Sequence, residues 1–210
     1  MDPRRIVEFG YDRIAQRYAG ELEGARGPRS YYRQFVDRAI AGIPSGSLVL
    51  DLGCGAGFIA AELARRARVV GVDVSTAQLA LARDAVPAAA LVRADMVHLQ
   101  FRPGSFDAVA AFWSLIHVRR ELHAELLERI HGWIRPGGLF FGTLGGGDNP
   151  HEYEADFFGA PMYWSHFDAE TNRRLLRTAG FEVVLADEIE DAGEQPLWVI
   201  ARVSEPRAVG

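Results

Sequence analysis

The run Val49-Leu50-Asp51-Leu52-Gly53-Cys54-Gly55-Ala56-Gly57 constrains this chain more than any other segment. Its first residues are apolar enough for a strand buried on both faces. Its three alternating glycines let the backbone take positive φ and come close to a ligand. A helical pattern follows at once. A strand running through a glycine turn into a helix opens a βαβ unit, and such units build a parallel sheet covered by helices. The same turn with no ligand is the plainer reading of the glycines alone.

The rest of the chain keeps the alternation. Strands are predicted at 48–52, 69–73, 89–93, 106–112, 139–143, 181–189 and 197–203, with helices between them. Asp168 is placed as the N-cap of a helix over 168–179 that stops at Gly180. Two helices precede the first strand, one carrying Ile6, Phe9, Ile14 and Tyr18, the other Tyr31, Tyr32, Phe35, Val36 and Ile40, with a break between Gly24 and Pro28. The expected fold is α/β: a Rossmann-like doubly wound sheet, mostly parallel with a final antiparallel strand, plus N-terminal cap helices. Residues 1–210 are expected to form one domain, with 1–43 as the helical cap. Residues 144–167 are expected to be a substrate-side loop or lid, because so long a connection inside a compact domain is usually functional or disordered and its composition favours function. That stretch gathers Tyr153, Phe157, Phe158, Tyr163, Trp164 and Phe167, too much apolar surface to leave in water.

Asp73 ends the second strand twenty residues after Gly53, where a carboxylate accepts hydrogen bonds from both ribose hydroxyls of an adenosine. It can also cap the helix that opens at Ser75. A nicotinamide or flavin dinucleotide fits those two features, but two residues argue against it. The third glycine of the dinucleotide pattern is replaced by Phe58, which keeps the helix from packing closely on the strand. Asp51 ends the first strand where a pyrophosphate lies, and its charge repels one. A cationic amine suits Asp51 better, and a nucleoside with a positively charged amino-acid tail satisfies both carboxylates.

These residues resemble the class I S-adenosylmethionine-dependent methyltransferases, with similarity from about Tyr11 to the last strand. Phe106-Asp107-Ala108-Val109-Ala110-Ala111-Phe112 with Trp113-Ser114-Leu115-Ile116-His117 is similar to the family's fourth strand and methyl-facing loop. Trp133-Ile134-Arg135-Pro136-Gly137-Gly138-Leu139 resembles its turn into the fifth strand, and Tyr11-Asp12-x-x-Ala15-x-x-Tyr18 its capping helix. The resemblance implies that Asp51, Gly53, Cys54 and Gly55 surround the methionine moiety and that Asp73 holds the ribose. Val74 and Gln78 then border the adenosine, and Asp95 and Met96 border adenine. Tyr11, Tyr18, Phe112 and His117 are expected to reach the same cofactor.

A sulfonium is already an activated electrophile, so methyl transfer needs chiefly an in-line acceptor and exclusion of water. His117 follows the fourth strand on the ligand side of the sheet and is the candidate base; capping its loop or packing on the cofactor is the alternative. His166 is a second candidate. Trp113, Tyr163, Trp164, His166 and Phe167 are candidates for the acceptor pocket, although some of these aromatics must serve the core. The expected acceptor is a small molecule methylated on nitrogen or oxygen. A nicotinamide-dependent oxidoreductase and a catalytically silent cofactor-binding module are the rivals.

Composition narrows the partners. A net charge of −5 with scattered arginines argues against a broad nucleic-acid surface, and no Asn/Asp-Pro-Pro-Tyr signature follows the fourth strand. Cys54 is the only cysteine, which excludes an internal disulfide, and the six histidines lack tight ligand spacing, so no metal is expected. No run approaches the about 18 apolar residues of a membrane span, and the first ten residues lack an apolar signal core. A cytoplasmic protein is therefore expected, with no membrane partner. The acidic cluster Asp187, Glu188, Glu190, Asp191 and Glu194 reads as a strand end and turn in water.

Overall fold

The computed structural model describes residues 2–25, 30–191 and 193–205. Seven strands form one sheet: β1 (Leu48–Leu52), β2 (Arg68–Asp73), β3 (Ala90–Arg93), β4 (Phe106–Ala111), β5 (Ile134–Leu144), β8 (Phe181–Glu188) and β9 (Leu197–Val203), in the order β3-β2-β1-β4-β5-β9-β8. The first five pair in parallel, whereas β9 runs antiparallel to both β5 and β8. The expected Rossmann-like sheet, mostly parallel with an antiparallel last strand, is the one found.

Alternation along the central strands explains the layers. Leu50, Leu52, Val109 and Phe140 point to one face, where they pack with Leu126, Leu127 and Ile130 of α5 (His123–Trp133) and Leu176 of α6 (Ala169–Thr178). Val49, Ala108, Ala110 and Phe141 point to the other. There they meet Phe35 and Val36 of α2 (Tyr31–Ala41) and Ile59, Ala60 and Leu63 of α3 (Phe58–Ala64). With both faces covered, the strands must be apolar on both sides, which is why they read as continuous hydrophobic runs. Asp168 is the N-cap of α6, its Oδ1 accepting from Thr171 N at 2.7 Å.

Strand order reverses between β1 and β4, which creates a crevice beyond their carboxyl ends. Two elements close over it. The helix α1 (Pro3–Ala25) buries Ile6, Val7 and Ile14 against Ala160, Met162 and Tyr163. Gly10 permits this approach, since a Cβ there would lie 2.4 Å from the Pro161 carbonyl oxygen. Phe9, expected on the buried stripe, is instead half exposed beside the Arg13 guanidinium. The break expected between Gly24 and Pro28 falls mostly outside the described residues, and α1 runs on to Ala25.

The second element corrects the reading of 144–167 as a loop. After Leu144, the end of β5, this stretch forms an antiparallel hairpin of β6 (Asn149–Phe157) and β7 (Ala160–His166), separate from the main sheet. Its turn is Phe158-Gly159, with φ of 53° and 95°. Positive φ at both central residues suits the right-handed twist of a two-residue hairpin, and Asn-Gly or Asp-Gly is its usual signal. Phenylalanine conceals it. Here Phe158 is held by the Arg17 guanidinium, which lies over its ring and donates to its carbonyl oxygen at 3.2 Å.

Candidate functional site

The glycine turn after β1 lies where the crevice begins. Gly53 has φ +71°, and a Cβ there would sit 2.3 Å from Cβ of Ser114 in the turn after β4. Only glycine lets these two turns meet. The amides of Gly53 and Cys54 both donate to the Val72 carbonyl, at 2.8 and 3.0 Å, which ties the turn to β2. Asp73 completes the tie: its Oδ2 accepts from Gly55 N at 2.9 Å and its Oδ1 from Ser75 N at 2.8 Å.

Asp73 is buried, and burial pushes its carboxyl above the ordinary carboxylate range. The amides of Ser75, Gly55 and Val74 pull the other way, and the nearby charge of Asp12 adds to the upward push. Asp12 arrives from α1, where its Oδ1 accepts from the Ser75 hydroxyl at 2.6 Å and from Ala77 N at 3.0 Å. The Ser75 oxygen in turn accepts from Gln78 N at 3.1 Å, capping α4 (Thr76–Ala85). One chain of hydrogen bonds thus joins the N-terminal helix, the α4 cap and, through the Ser75 backbone, the carboxylate at the end of β2.

These groups surround a cavity of about 450 Å³, ample for a small cofactor. Every residue expected at the cofactor lies on its wall. Asp51, Gly53, Cys54 and Gly55 come from the first turn, and Asp73, Val74 and Gln78 from the second strand and its helix. Asp95 and Met96 follow β3, Phe112 and His117 follow β4, and Tyr11 and Tyr18 come from α1. Asp95 also caps the short turn Met96–His98, accepting from Val97 N at 3.0 Å. Burial, with Asp51 and Asp73 behind it, raises the Cys54 thiol, so it is no nucleophile at neutral pH.

Ser114, in the turn after β4, is a wall residue that the sequence does not single out. Its hydroxyl is buried on the cavity wall with no hydrogen-bond partner among the described residues. A buried hydroxyl left so is costly, and a ligand with a polar group at that point removes the cost. In the sequence it is marked only by its place in the turn that follows the fourth strand; the approach to Gly53 comes from the fold.

A second cavity, about 430 Å³, opens toward the hairpin and shares Tyr11, Tyr18, Trp113 and His117 with the first. Of the residues expected in an acceptor pocket, Trp164 and His166 of β7 line this cavity with Trp113, whereas Tyr163 and Phe167 line neither cavity. The Tyr163 side chain is buried with α1, and Phe167 packs on His123 under the Arg120 guanidinium. The hairpin contributes Asn149, Glu152, Glu154 and Phe157 as well, and Glu194 borders the same space. Among the described residues no group of three or more His, Cys, Asp or Glu is arranged to hold a metal.

His117 stands at the junction of the two cavities. Its Nδ1 lies 2.7 Å from the Tyr163 carbonyl oxygen, which can only accept, so Nδ1 carries the proton. Nε2 is then the acceptor, and the Tyr11 hydroxyl donates to it at 2.9 Å. Burial is the main cause that lowers the ring from 6.5 to about 4, keeping it neutral at physiological pH. Burial likewise pushes the Tyr11 phenol well above 10, followed by the contact with Tyr18 and the charges of Asp73 and Glu194. Beside this pair, Trp113 adopts φ 48°, unusual for a bulky residue. Its amide donates to Thr143 Oγ1 at 2.7 Å and its indole Nε1 to Glu194 Oε2 at 3.0 Å.

Comparison with known proteins agrees with this geometry. A model of the methyltransferase domain matches residues 49–138. An uncharacterized methyltransferase of Synechocystis sp. is 32% identical over 153 residues, covering 68% of this chain and 70% of that protein. A ubiquinone biosynthesis O-methyltransferase of Sodalis glossinidius is 32% identical over 155 residues, 69% of this chain and 60% of the relative. The chain spans about half the length of several curated relatives it matches, 45%, 60% and 37% of three of them. Among solved structures, the 1,6-didemethyltoxoflavin-N1-methyltransferase of Burkholderia thailandensis has the same fold, with a TM-score of 0.69, 24% identity and coverage of 94% of this chain and 88% of that one. The glycine turn between two acidic strand ends, the strand order and these relatives agree: the chain belongs to the class I methyltransferase family, whose cofactor is S-adenosylmethionine.

Proposed function

We propose that this protein transfers a methyl group from S-adenosylmethionine to nitrogen or oxygen of a small organic molecule. The observation that carries this reading is the pairing of two cavities across Tyr11, Tyr18, Trp113 and His117. One is shaped by the glycine turn and its carboxylates. The other is bounded by aromatics and suits a second small substrate.

The residues of the first cavity fit the cofactor. Asp73, already fixed by two amides, holds the ribose hydroxyls. The Ser114 hydroxyl and Asp51 meet the polar amino-acid end beside Gly53 and Gly55. Asp95 and Met96 border adenine, with Val74 and Gln78 along the nucleoside. When bound, S-adenosylmethionine supplies a methyl group activated by its sulfonium, which an acceptor lone pair takes as the C–S electron pair returns to sulfur.

Of the roles expected of His117, a base or a residue that packs at the loop and cofactor, the buried neutral ring fits the second, since its Nε2 already accepts the Tyr11 hydroxyl. The neutral ring presents Nε2 to the phenol, so the phenol proton is directed away from the acceptor and its oxygen is oriented at the junction. His117 is thus a positioning residue and Tyr11 the group closer to the reacting atoms. α1 and the hairpin form a lid that excludes water.

Isothermal titration tests the first step. S-adenosylmethionine and S-adenosylhomocysteine are expected to bind at micromolar concentrations, and nicotinamide dinucleotides are not. Binding of a nicotinamide dinucleotide without either sulfur ligand overturns the reading in favour of an oxidoreductase. Retained S-adenosylmethionine with no turnover over a broad panel of amines, phenols and carboxylic acids favours a silent binding module.

A further inference from the structure

The second cavity has a charge pattern that the cofactor does not explain. Its wall carries three carboxylates, Glu152 and Glu154 on β6 and Glu194 before β9, and none of them lines the nucleotide cavity. Among the described residues no arginine lines it, and the chain contains no lysine. Two of the carboxylates are oriented in advance. Asn149 Nδ2 donates to Glu152 Oε2 at 2.6 Å, and the Trp113 indole holds Glu194 Oε2 at 3.0 Å. Tyr11, Tyr18, Trp113, Phe157 and Trp164 supply aromatic surface to the same space. The carboxylates do not make the site; the cavity does, through the four residues it shares with the cofactor side. What they determine is the charge it accepts.

We propose that this cavity selects a methyl acceptor bearing a positive charge, an organic ammonium or a fixed organic cation, attached to an apolar or aromatic body. This rests on the methyltransferase reading above and specifies its substrate class. Aromatic faces attract cations through their quadrupoles, and carboxylates add direct attraction, so the two kinds of wall favour the same ligand. An anionic acceptor meets three like charges and, among the described lining residues, no arginine. An ammonium has no lone pair to offer an electrophile. The charged group at Glu152, Glu154 and Glu194 is therefore a handle, and a separate uncharged nitrogen or oxygen receives the methyl group.

Three indoles of similar size test the selection: tryptamine as the cation, 3-ethylindole as the neutral analogue and indole-3-propionate as the anion. Each is titrated at low ionic strength into protein saturated with S-adenosylhomocysteine and followed by ligand-observed NMR. Tryptamine is expected to bind about ten-fold more tightly than indole-3-propionate, as befits a few partly exposed charges, with the gap narrowing in 0.5 M salt. The triple variant Glu152→Gln, Glu154→Gln, Glu194→Gln is expected to lose the preference while still holding S-adenosylhomocysteine. Equal or tighter binding of the anion overturns the proposal. So does a preference that survives in the triple variant, or the absence of tryptamine binding to protein that holds S-adenosylhomocysteine. Failure of S-adenosylhomocysteine to bind in the first place counts against the methyltransferase reading itself.

Discussion

The Tyr11 hydroxyl lies 2.9 Å from Nε2 of His117, a bond that spans 106 residues of chain and fastens the N-terminal helix to the turn after β4. Tyr11→Phe leaves a buried nitrogen without its donor and is expected to cost roughly 1–3 kcal/mol of stability. The two residues should also be coupled. In urea unfolding, a double-mutant cycle with His117→Gln is expected to give an interaction of at least about 0.5 kcal/mol. Additive effects would show that the bond contributes nothing.

His117 makes stability depend on pH in a defined direction. Its ring is lowered from 6.5 to about 4 by burial, so between those values the unfolded chain binds a proton that the folded chain refuses. This contribution is fully present above about pH 6.5 and is lost as pH falls toward 4. The loss reaches about 2 kcal/mol at pH 5. His123, also lowered by burial, acts in the same sense. Urea midpoints at pH 7.5 and pH 5 are expected to differ less in His117→Gln than in the parent protein; an unchanged difference would place the proton elsewhere.

Asp73→Asn keeps the size of the side chain and removes its charge. Both carboxylate oxygens accept backbone amides, so in the variant one of those amides faces an Nδ2 donor, which is expected to cost roughly 1–3 kcal/mol in urea unfolding. Ligand binding should suffer as well: charge-assisted bonds to ribose hydroxyls are worth about 1.5–3 kcal/mol, so S-adenosylhomocysteine affinity is expected to fall about 10- to 100-fold by calorimetry. A loss below three-fold would remove Asp73 from the ribose.

Asp12 reaches from α1 to two donors at the start of α4, Ser75 and Ala77. Asp12→Ala is expected to cost about 1 kcal/mol, the usual loss for a helix-capping side chain. It should also speed amide exchange in α1 more than in β1. Exchange that rises equally in both elements would mean that Asp12 supports the whole domain and not the docking of the helix.

The sheet was legible in the sequence because strands buried on both faces must be apolar, and β1, β4 and β9 are so along nearly their whole length. Asp73 was legible because spacing alone places it at the end of β2. The hairpin was not. β6 is a polar strand with little burial, and its turn hides behind Phe158 where asparagine or aspartate usually signals one. Glu194 was hidden by its company: among Asp187, Glu188, Glu190 and Asp191 it reads as one more solvated charge. Only tertiary structure separates it, placing Glu194 at a cavity and Asp191 on the amides of Tyr31 and Tyr32 at 3.1 Å, as a cap for α2.

The β6–β7 ribbon shares no ladder hydrogen bonds with the seven-stranded sheet. Side chains on it can therefore change without disturbing the strand registers that fix Asp51 and Asp73. If the second cavity holds the acceptor, as proposed, much of its wall comes from a ribbon that carries neither Asp51 nor Asp73, although Tyr11, Tyr18, Trp113 and His117 serve both cavities. On that proposal, exchanging a single hairpin is a short path to a new acceptor on an old cofactor site.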